Sequence, residues 1–250
     1  FSANNASLSV DLSEARQAVK ENRFQDALDL FEIILKADPN HIDSLYLASV
    51  SSRYLKNFEA SKEFIKRLMI IAPDMGRAYQ ELGHIYRDMG AIEKAVIHYR
   101  QACELNPALL ASWSALYKYF AESKNIPAAD HAREQIEKLQ SLPSALLYID
   151  QIMNEGRLGV AEMQCRAFLK KHPTHTYAMY LLSEIANRLG YFDDAEFLLE
   201  KAVEFQPNDG DLRLKYATIL RKKQKFAKTM EQVNILCDQH PDNHVYQAHK

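Results

Sequence analysis

Proline recurs along this chain at a fixed interval of 34 residues within each of two blocks. The blocks contain Pro39, Pro73 and Pro107, and then Pro173, Pro207 and Pro241. A hydrophobic residue keeps the same interval, apart from one step of 32, at Phe24, Phe58, Ile92, Ile126, Leu158, Phe192 and Phe226. A fixed period of this length indicates an array in which each unit packs against its neighbours. We therefore expect one elongated array rather than one or two globular domains.

Composition favours helices and excludes several classes of protein. Seven glycines and eight prolines in 250 residues, 47% of them hydrophobic, predict helices joined by short turns and no sheets. A formal net charge of −2 supplies no positive field for DNA or RNA. No stretch approaches the roughly 20 apolar residues of a membrane helix. An odd number of cysteines, three, argues against a disulfide framework and predicts a reducing, cytoplasmic location.

Aligning the prolines divides the chain into seven units. They begin at Leu8, Ile42, Gly76, Leu110, Leu142, Thr176 and Gly210. The third unit is the most regular, with Tyr79, Leu82, Gly83, Tyr86, Ala95, Tyr99, Ala102 and Pro107 in order. This pattern and the 34-residue period resemble the tetratricopeptide repeat. The resemblance implies an all-α fold, a right-handed superhelical solenoid of about seven helix-turn-helix repeats.

Two positions of the repeat have a physical explanation. Position 20 is small in every unit, which allows the two helices of a repeat to cross closely; its residues are Ala27, Ser61, Ala95, Ala129, Ala161, Ala195 and Thr229. Position 15 is glycine at Gly90, Gly156 and Gly190, where the first helix should end in a left-handed residue. Asp11 and Glu14 predict a capping box at the first helix.

The step of 32 predicts a boundary between repeats 4 and 5. We expect a disordered lead-in at 1–7, repeats 1–4 at 8–141, repeats 5–7 at 142–243, and the start of a truncated helix at 244–250. The protein is thus expected to continue beyond Lys250. The short step is either a tolerated deletion in a loop or a change of superhelical angle, and the sequence leaves both open.

No pattern in the chain predicts catalysis or cofactor binding. The sequence contains neither the phosphate-binding glycine loops nor HExxH, CxxC or GxSxG. Cys165 with His172 and His175 is one candidate metal set, and three histidines near the C-terminus (His240, His244 and His249) form another, but neither has a second paired motif to complete a tetrahedral site. The basic run at 221–228 is interpreted as a solvated turn rather than a nucleic-acid contact.

The resemblance also implies where a partner would bind, because first helices line the inner groove of such arrays. The candidate groove residues are Tyr46, Arg53, Tyr54, Arg77, Gln80, His84, Arg87, Lys118, Tyr177 and Tyr180. Arg53 and Arg87 occupy the same position in successive repeats and should form a ladder. Aromatic and guanidinium groups are frequent anchors of protein contacts, so we expect a protein or acidic peptide ligand. The alternative, that these side chains only solvate the groove, stays open.

A second resemblance concerns two segments, LPSALLYIDQIMNEGRLGVAEMQCRAFLKKHPTH at 142–175 and LSEIANRLGYFDDAEFLLEKAVEFQPND at 182–209. They resemble the N-terminal helical region of bacterial proteins that join a tetratricopeptide array to a sulfotransferase domain. The resemblance implies that a domain using 3'-phosphoadenylyl sulfate follows Lys250. Its phosphosulfate-binding loop, a segment like RSGTT, does not occur in this chain.

Two functions are therefore expected for the chain. One is a non-catalytic scaffold that binds a protein or peptide segment. The alternative is the recruiting or oligomerising module of a sulfotransferase, and self-association through repeat 7 is compatible with either.

Overall fold

The computed structural model describes residues 12–239, and all regular structure in that range is helical. Its helices are α1 (Leu12–Lys20), α2 (Phe24–Ala37), α3 (Ile42–Tyr54), α4 (Phe58–Ile71), α5 (Gly76–Asp88), α6 (Ile92–Leu105), α7 (Leu110–Glu122), α8 (Ile126–Gln140), α9 (Ser144–Asn154), α10 (Leu158–Lys171), α11 (Thr176–Arg188), α12 (Phe192–Phe205), α13 (Gly210–Lys222) and α14 (Phe226–Gln239). The predicted all-helical repeat class is confirmed. The predictions for 1–7, for the Asp11 capping box and for the chain beyond residue 239 lie outside the described residues.

Within residues 12–239 the helices pack in seven pairs in chain order, α1 with α2 through α13 with α14. The second helix of every pair begins at the hydrophobic residue that the sequence predicts, from Phe24 in α2 to Phe226 in α14. No helix within residues 12–239 is both long and apolar enough to cross a bilayer.

The chain divides into two compact units. Unit 1 ends at Ser141 and contains α1–α8, whereas unit 2 begins at Leu142 and contains α9–α14. Each unit has its own buried core. Unit 1 buries Phe31, Leu45, Ile65, Leu68, Ile85 and Leu116, and unit 2 buries Leu146, Ile149, Leu181, Ile185, Leu199 and Leu220.

The step of 32 arises in the first helix of repeat 5, which is two residues shorter than those of repeats 4 and 6. Helix α9 begins as many residues after the start of α8 as α7 begins after the start of α6, at Ser144 and Leu110 respectively. Helix α10, by contrast, begins at Leu158, two residues closer to the start of α9 than the start of α8 is to that of α7. Helix α9 accordingly has 11 residues, where α7 and α11 have 13.

The turn inside each pair contains one residue in the left-handed conformation, always at position 15. Gly90, Gly156 and Gly190 adopt φ values of 78°, 77° and 82°, as predicted. The other four turns place a side-chain-bearing residue there, namely Asn22, Lys56, Lys124 and Gln224. The backbone conformation is therefore set by the repeat, and the glycines are only its least strained occupants.

The predicted close crossing of paired helices is confirmed at position 20. Ala27, Ala161 and Ala195 are completely buried there. In repeat 2 the contact is polar, since Ser61 and Ser49 each donate a hydroxyl to the other's carbonyl, at 2.8 and 3.0 Å. Thr229 is the less buried exception and donates its hydroxyl to the Lys225 carbonyl within its own helix.

Gly83 shows how little space the crossing leaves. A Cβ added to Gly83 would lie 2.5 Å from Tyr99 Cε1. Tyr99 is 2% exposed and its hydroxyl lies 2.7 Å from His84 Nδ1, so the ring has no space to withdraw.

We expect Gly83→Ala to destabilise unit 1 by about 1–3 kcal/mol, because one extra methyl group overpacks the α5–α6 crossing. Urea unfolding followed by circular dichroism measures the change. Gly159→Ala is the matched control, because a Cβ at Gly159 meets nothing within 4 Å and alanine is the better helix former. If Gly83→Ala left the midpoint unchanged, the close crossing would be wrong.

We expect Lys56→Gly to stabilise the α3–α4 turn by about 0.5 kcal/mol. Glycine relieves the left-handed strain at a φ of 60°, roughly 1–2 kcal/mol, but adds unfolded-chain entropy of about 1 kcal/mol. Lys66→Gly, in the exposed interior of α4, should instead destabilise by about 1 kcal/mol. Thermal unfolding distinguishes the two, and equal losses would contradict the assignment.

Candidate functional site

Arg53 lies within an internal ion network rather than on an open surface. Its guanidinium donates from Nε to Glu81 Oε1 at 2.6 Å and from Nη1 to Asp88 Oδ2 at 2.9 Å. The Arg53 side chain is 8% exposed and that of Glu81 only 2%. Burial opposes the charge of Arg53, but these two carboxylates outweigh burial and raise the pKa of its guanidinium. Arg53 therefore joins α3 of repeat 2 to α5 of repeat 3.

Asp88 bridges the two arginines that were predicted to form a ladder. Its Oδ2 accepts from Arg53, while its Oδ1 accepts from Arg87 Nε and Nη2 at 2.9 and 2.7 Å. Burial works against ionisation of Asp88, but the hydrogen bonds from Arg87 and Arg53 lower the pKa of its carboxyl. The two guanidinium groups do lie in succession, yet only Arg87 has an exposed side chain.

Tyr54 extends the arginine network to the surface of α3. Its ring stacks on Phe24 with centroids 4.3 Å apart and planes within 1°. Arg53 Cζ lies 4.5 Å from the Tyr54 centroid, so a cation supports the ring. Tyr54 nevertheless remains 54% exposed. The ring is thus held in place and is still accessible.

Tyr46 and Arg77 form a second aromatic–guanidinium pair between the same helices. Arg77 Cζ lies 4.8 Å from the Tyr46 centroid. Both side chains are half-buried, and each comes from a different repeat. Their contact fixes the orientation of a large ring and a forked cation beside each other.

Gln80 and His84 contact other side chains of the protein. Gln80 Oε1 accepts a hydrogen bond from the Ser112 hydroxyl of α7 at 3.0 Å. The His84 ring lies edge-on to Tyr99, with centroids 5.4 Å apart. Burial and then the positive charges of Arg53 and Arg87 lower the pKa of His84 to about 4, so the ring is neutral at physiological pH. Lys118 differs from these two residues in being exposed on α7.

In unit 2, Tyr177 belongs to a polar network on the first helices. Its hydroxyl donates to Asp150 Oδ2 at 2.7 Å, and Asn154 donates to Asp150 Oδ1 at 2.9 Å. Arg188 donates to Asn154 Oδ1 at 2.9 Å and to the Met153 carbonyl at 3.0 Å. Burial, followed by the Asp150 charge, raises the pKa of Tyr177. These bonds join α9 to α11 as the arginine network joins α3 to α5.

Tyr180 is half-buried beside Tyr177 on the same unit 2 surface. Its ring centroid lies 5.6 Å from that of Tyr177 and 6.0 Å from Lys215 Nζ. Burial, and then the neighbouring Glu184 charge, raises the pKa of Tyr180 to about 12. The ring therefore stays protonated and can both stack and donate a hydrogen bond.

The basic run at 221–228 is partly neutralised by the preceding repeat, which the interpretation as a solvated turn did not anticipate. Lys225 Nζ lies 2.6 and 2.7 Å from the two oxygens of Glu196, and Lys223 pairs with both Glu196 and Asp193. Lys222 donates to Asn187 Oδ1 at 2.8 Å. These bonds connect α13 and the turn after it to α11 and α12.

The candidate metal ligands of unit 2 have structural partners. The Cys165 thiol donates to the Ala178 carbonyl at 3.2 Å. His175 caps the start of α11, and its ring and that of His172 pack on Phe168. Within residues 12–239, no cluster of three or more His, Cys, Asp or Glu side chains could hold a metal ion.

Comparison with known proteins relates two repeats directly to one family. Residues 76–109 and 176–209 match the model of the tetratricopeptide repeat. These residues contain the pairs α5–α6 and α11–α12, one in each unit.

Relatives with known names are distant. Subunit 7 of the mouse anaphase-promoting complex is 21% identical over 229 residues, which cover 90% of this chain and 40% of that protein. Subunit 8 of the Arabidopsis thaliana complex is 28% identical over 118 residues, covering 46% and 20%. The chain thus spans less than half the length of these relatives.

Solved structures of helical repeat proteins also resemble the chain. The crystal structure of a thermophilic tetratricopeptide protein in Thermus thermophilus is 23% identical, covers 84% of this chain and 96% of that one, and superposes with a TM-score of 0.41. Each unit therefore contains one helix pair that matches the tetratricopeptide repeat.

Proposed function

We propose that this chain is a non-catalytic scaffold that binds a protein or acidic peptide segment along the first helices of unit 1. The observation that carries the proposal is the pair of aromatic–guanidinium contacts on α3 and α5, Tyr54 over Arg53 and Tyr46 beside Arg77. Large rings and forked cations held in fixed positions lose little entropy when a partner binds.

The roles of the arginines differ in this proposal. Arg53 holds the surface together, because its charge is already satisfied by Glu81 and Asp88. Arg87 has an exposed side chain and shares its one carboxylate neighbour, Asp88, with Arg53, and Lys118 adds an exposed positive charge on α7. A carboxylate on the partner would be attracted to Arg87 and Lys118, which favours an acidic segment.

The named relatives are consistent with a scaffold role. Those described as subunits of the anaphase-promoting complex are parts of a protein assembly. Unit 2 contributes a second, more mixed surface at Tyr177 and Tyr180. We infer that unit 1 supplies the acidic preference of the scaffold.

Selection from a phage-displayed peptide library on the 250-residue chain tests this proposal. We expect the selected peptides to be enriched in Asp and Glu. Arg87→Gln and Tyr54→Ala should each weaken the calorimetric affinity of a selected peptide about tenfold, as for anchors of other interfaces. Lys66→Gln, which removes an exposed charge from second helix α4, is the matched control. Peptides without acidic residues, or variants that bind as the unaltered chain does, would refute the proposal.

Substitution of Arg53 is expected to lower the stability of the chain rather than its affinity for a peptide. Arg53→Met leaves the buried Glu81 carboxylate unpaired, which costs about 3–5 kcal/mol. Adding Glu81→Met should recover most of that loss, because two well-packed apolar residues can replace a buried ion pair. Urea unfolding of both variants provides the measurement. A single variant as stable as the unaltered chain would show that the pair is not structural.

A second proposal rests on the sequences at 142–175 and 182–209, which resemble the arm of bacterial sulfotransferases. Under this second proposal, the chain is the recruiting or oligomerising module of a sulfotransferase that uses 3'-phosphoadenylyl sulfate. Sequencing the gene beyond the codon for Lys250 separates the two proposals, because a phosphosulfate-loop segment is required by the second alone.

A further inference from the structure

A cleft of about 480 Å³ lies among α6, α7 and α8 in unit 1. It is lined by Arg100, Cys103, Glu104, Pro107, Trp113, Leu116, Phe120, Ala128 and His131. Lys118 is exposed on α7, whereas Leu116 and Phe120 on the same helix are buried. With 100° between successive residues, the α6–α8 cleft thus lies on the side of α7 away from Lys118. It is distinct from the surface assigned to the proposed function.

The small side chain of Ala128 on α8 leaves space in this cleft. Helix α8 contributes Ala128 and His131, and His131 meets Trp113 edge-on with ring centroids 5.5 Å apart. The Trp113 indole donates to the Pro107 carbonyl at 2.9 Å, which fixes the ring. The walls are therefore preformed and largely apolar, and the volume is within the usual range of ligand pockets, about 300–1,000 Å³.

Arg100 supplies a positive charge at the edge of the α6–α8 cleft. Its Cζ lies 5.1 Å from the Phe120 centroid, and its side chain is exposed. No ion pair of the described residues includes Arg100. Glu104 also lines the cleft, one helical turn farther along α6, so a ligand carboxylate would be attracted toward Arg100 and repelled from Glu104.

The equivalent cleft of unit 2 has an arginine at the same position, but it has less space and its arginine is paired with a carboxylate. Arg166 follows the start of α10 by as many residues as Arg100 follows the start of α6. That cleft measures about 180 Å³ and is lined by Phe197 where the unit 1 cleft has His131. Arg166 donates to Glu162 at 2.8 Å, so its charge is neutralised within its own helix.

We propose that the α6–α8 cleft binds a peptide segment that carries one large aliphatic side chain next to a carboxylate. The side chain contacts Trp113, Leu116 and Phe120, and the carboxylate accepts hydrogen bonds from Arg100. Charge complementarity selects this partner, because Arg100 at the edge of the cleft contacts the Phe120 ring and forms no ion pair with the described residues. The equivalent cleft of unit 2 does not offer this site, since Arg166 is already paired with Glu162.

Trp113 is the single tryptophan of the chain and lies in the cleft, so its fluorescence reports binding directly. The probe is the peptide acetyl-Ser-Asp-Leu-Asp-Ser-amide, added to the 250-residue chain. We expect a saturable change in Trp113 emission. The same peptide with Asn for both Asp residues, or with Ala for Leu, should bind about tenfold more weakly, because it lacks the charged or the apolar contact.

Two variants test the walls of the α6–α8 cleft. Arg100→Gln should weaken the Asp peptide about tenfold without affecting the Asn peptide, whereas the control Arg166→Gln should change neither. Ala128→Leu should fill the cleft and abolish the response while retaining the helical circular dichroism spectrum. Ala121→Leu, an exposed change on the same unit, is its control.

Three results would overturn the proposal. They are the absence of a saturable Trp113 response up to millimolar peptide, equal affinity for the Asp and Asn peptides, and unaltered binding by folded Ala128→Leu. None of them bears on the first-helix surface, whose test uses Arg87 and Tyr54. The two proposals therefore fail independently.

Discussion

The close crossing of the two helices within each pair is the constraint on which the structure depends. At position 20 the side chain is small and, in six of the seven pairs, buried; in repeat 2 a pair of serine hydrogen bonds replaces the usual methyl contact. Gly83 against Tyr99 is the tightest example, because one added carbon would overlap the ring. Since each pair is compact by itself, the remaining apolar surface of each helix is available to neighbouring repeats. In this way the helices of residues 12–239 bury a core in each unit.

The sequence predicted those features that depend on one residue and its own repeat. The starts of the second helices, the small residues at position 20 and the left-handed glycines all follow from local geometry, so a single period reveals them. The deletion was harder to locate, because Ile126 and Leu158 bracket the end of one repeat and the first helix of the next. Only the helix boundaries show that α9 is the short element.

Pairing between repeats was the part that the sequence did not predict. Arg53 lies 28 residues before Glu81 and 35 before Asp88, and nothing in a repeat pattern distinguishes an arginine with carboxylate partners from one facing solvent. The same applies to Glu196, whose lysine partners belong to a run that appeared solvated by composition. Burial of ionisable groups is decided by the neighbouring repeat, and a one-dimensional pattern does not identify the side chains that meet there.

A charged residue on a first helix can either join two repeats or contact a partner, and the exposed fraction separates the two uses: Arg53 is buried, while Arg87, beside it on the same Asp88, is exposed. Arg100 and Arg166 are both exposed on second helices and differ instead in their partners, since Arg100 has an aromatic neighbour and Arg166 a carboxylate. Equivalent positions in a repeat therefore have equivalent backbones but not equivalent functions, and the available charge, rather than the repeat position, indicates where a ligand would bind.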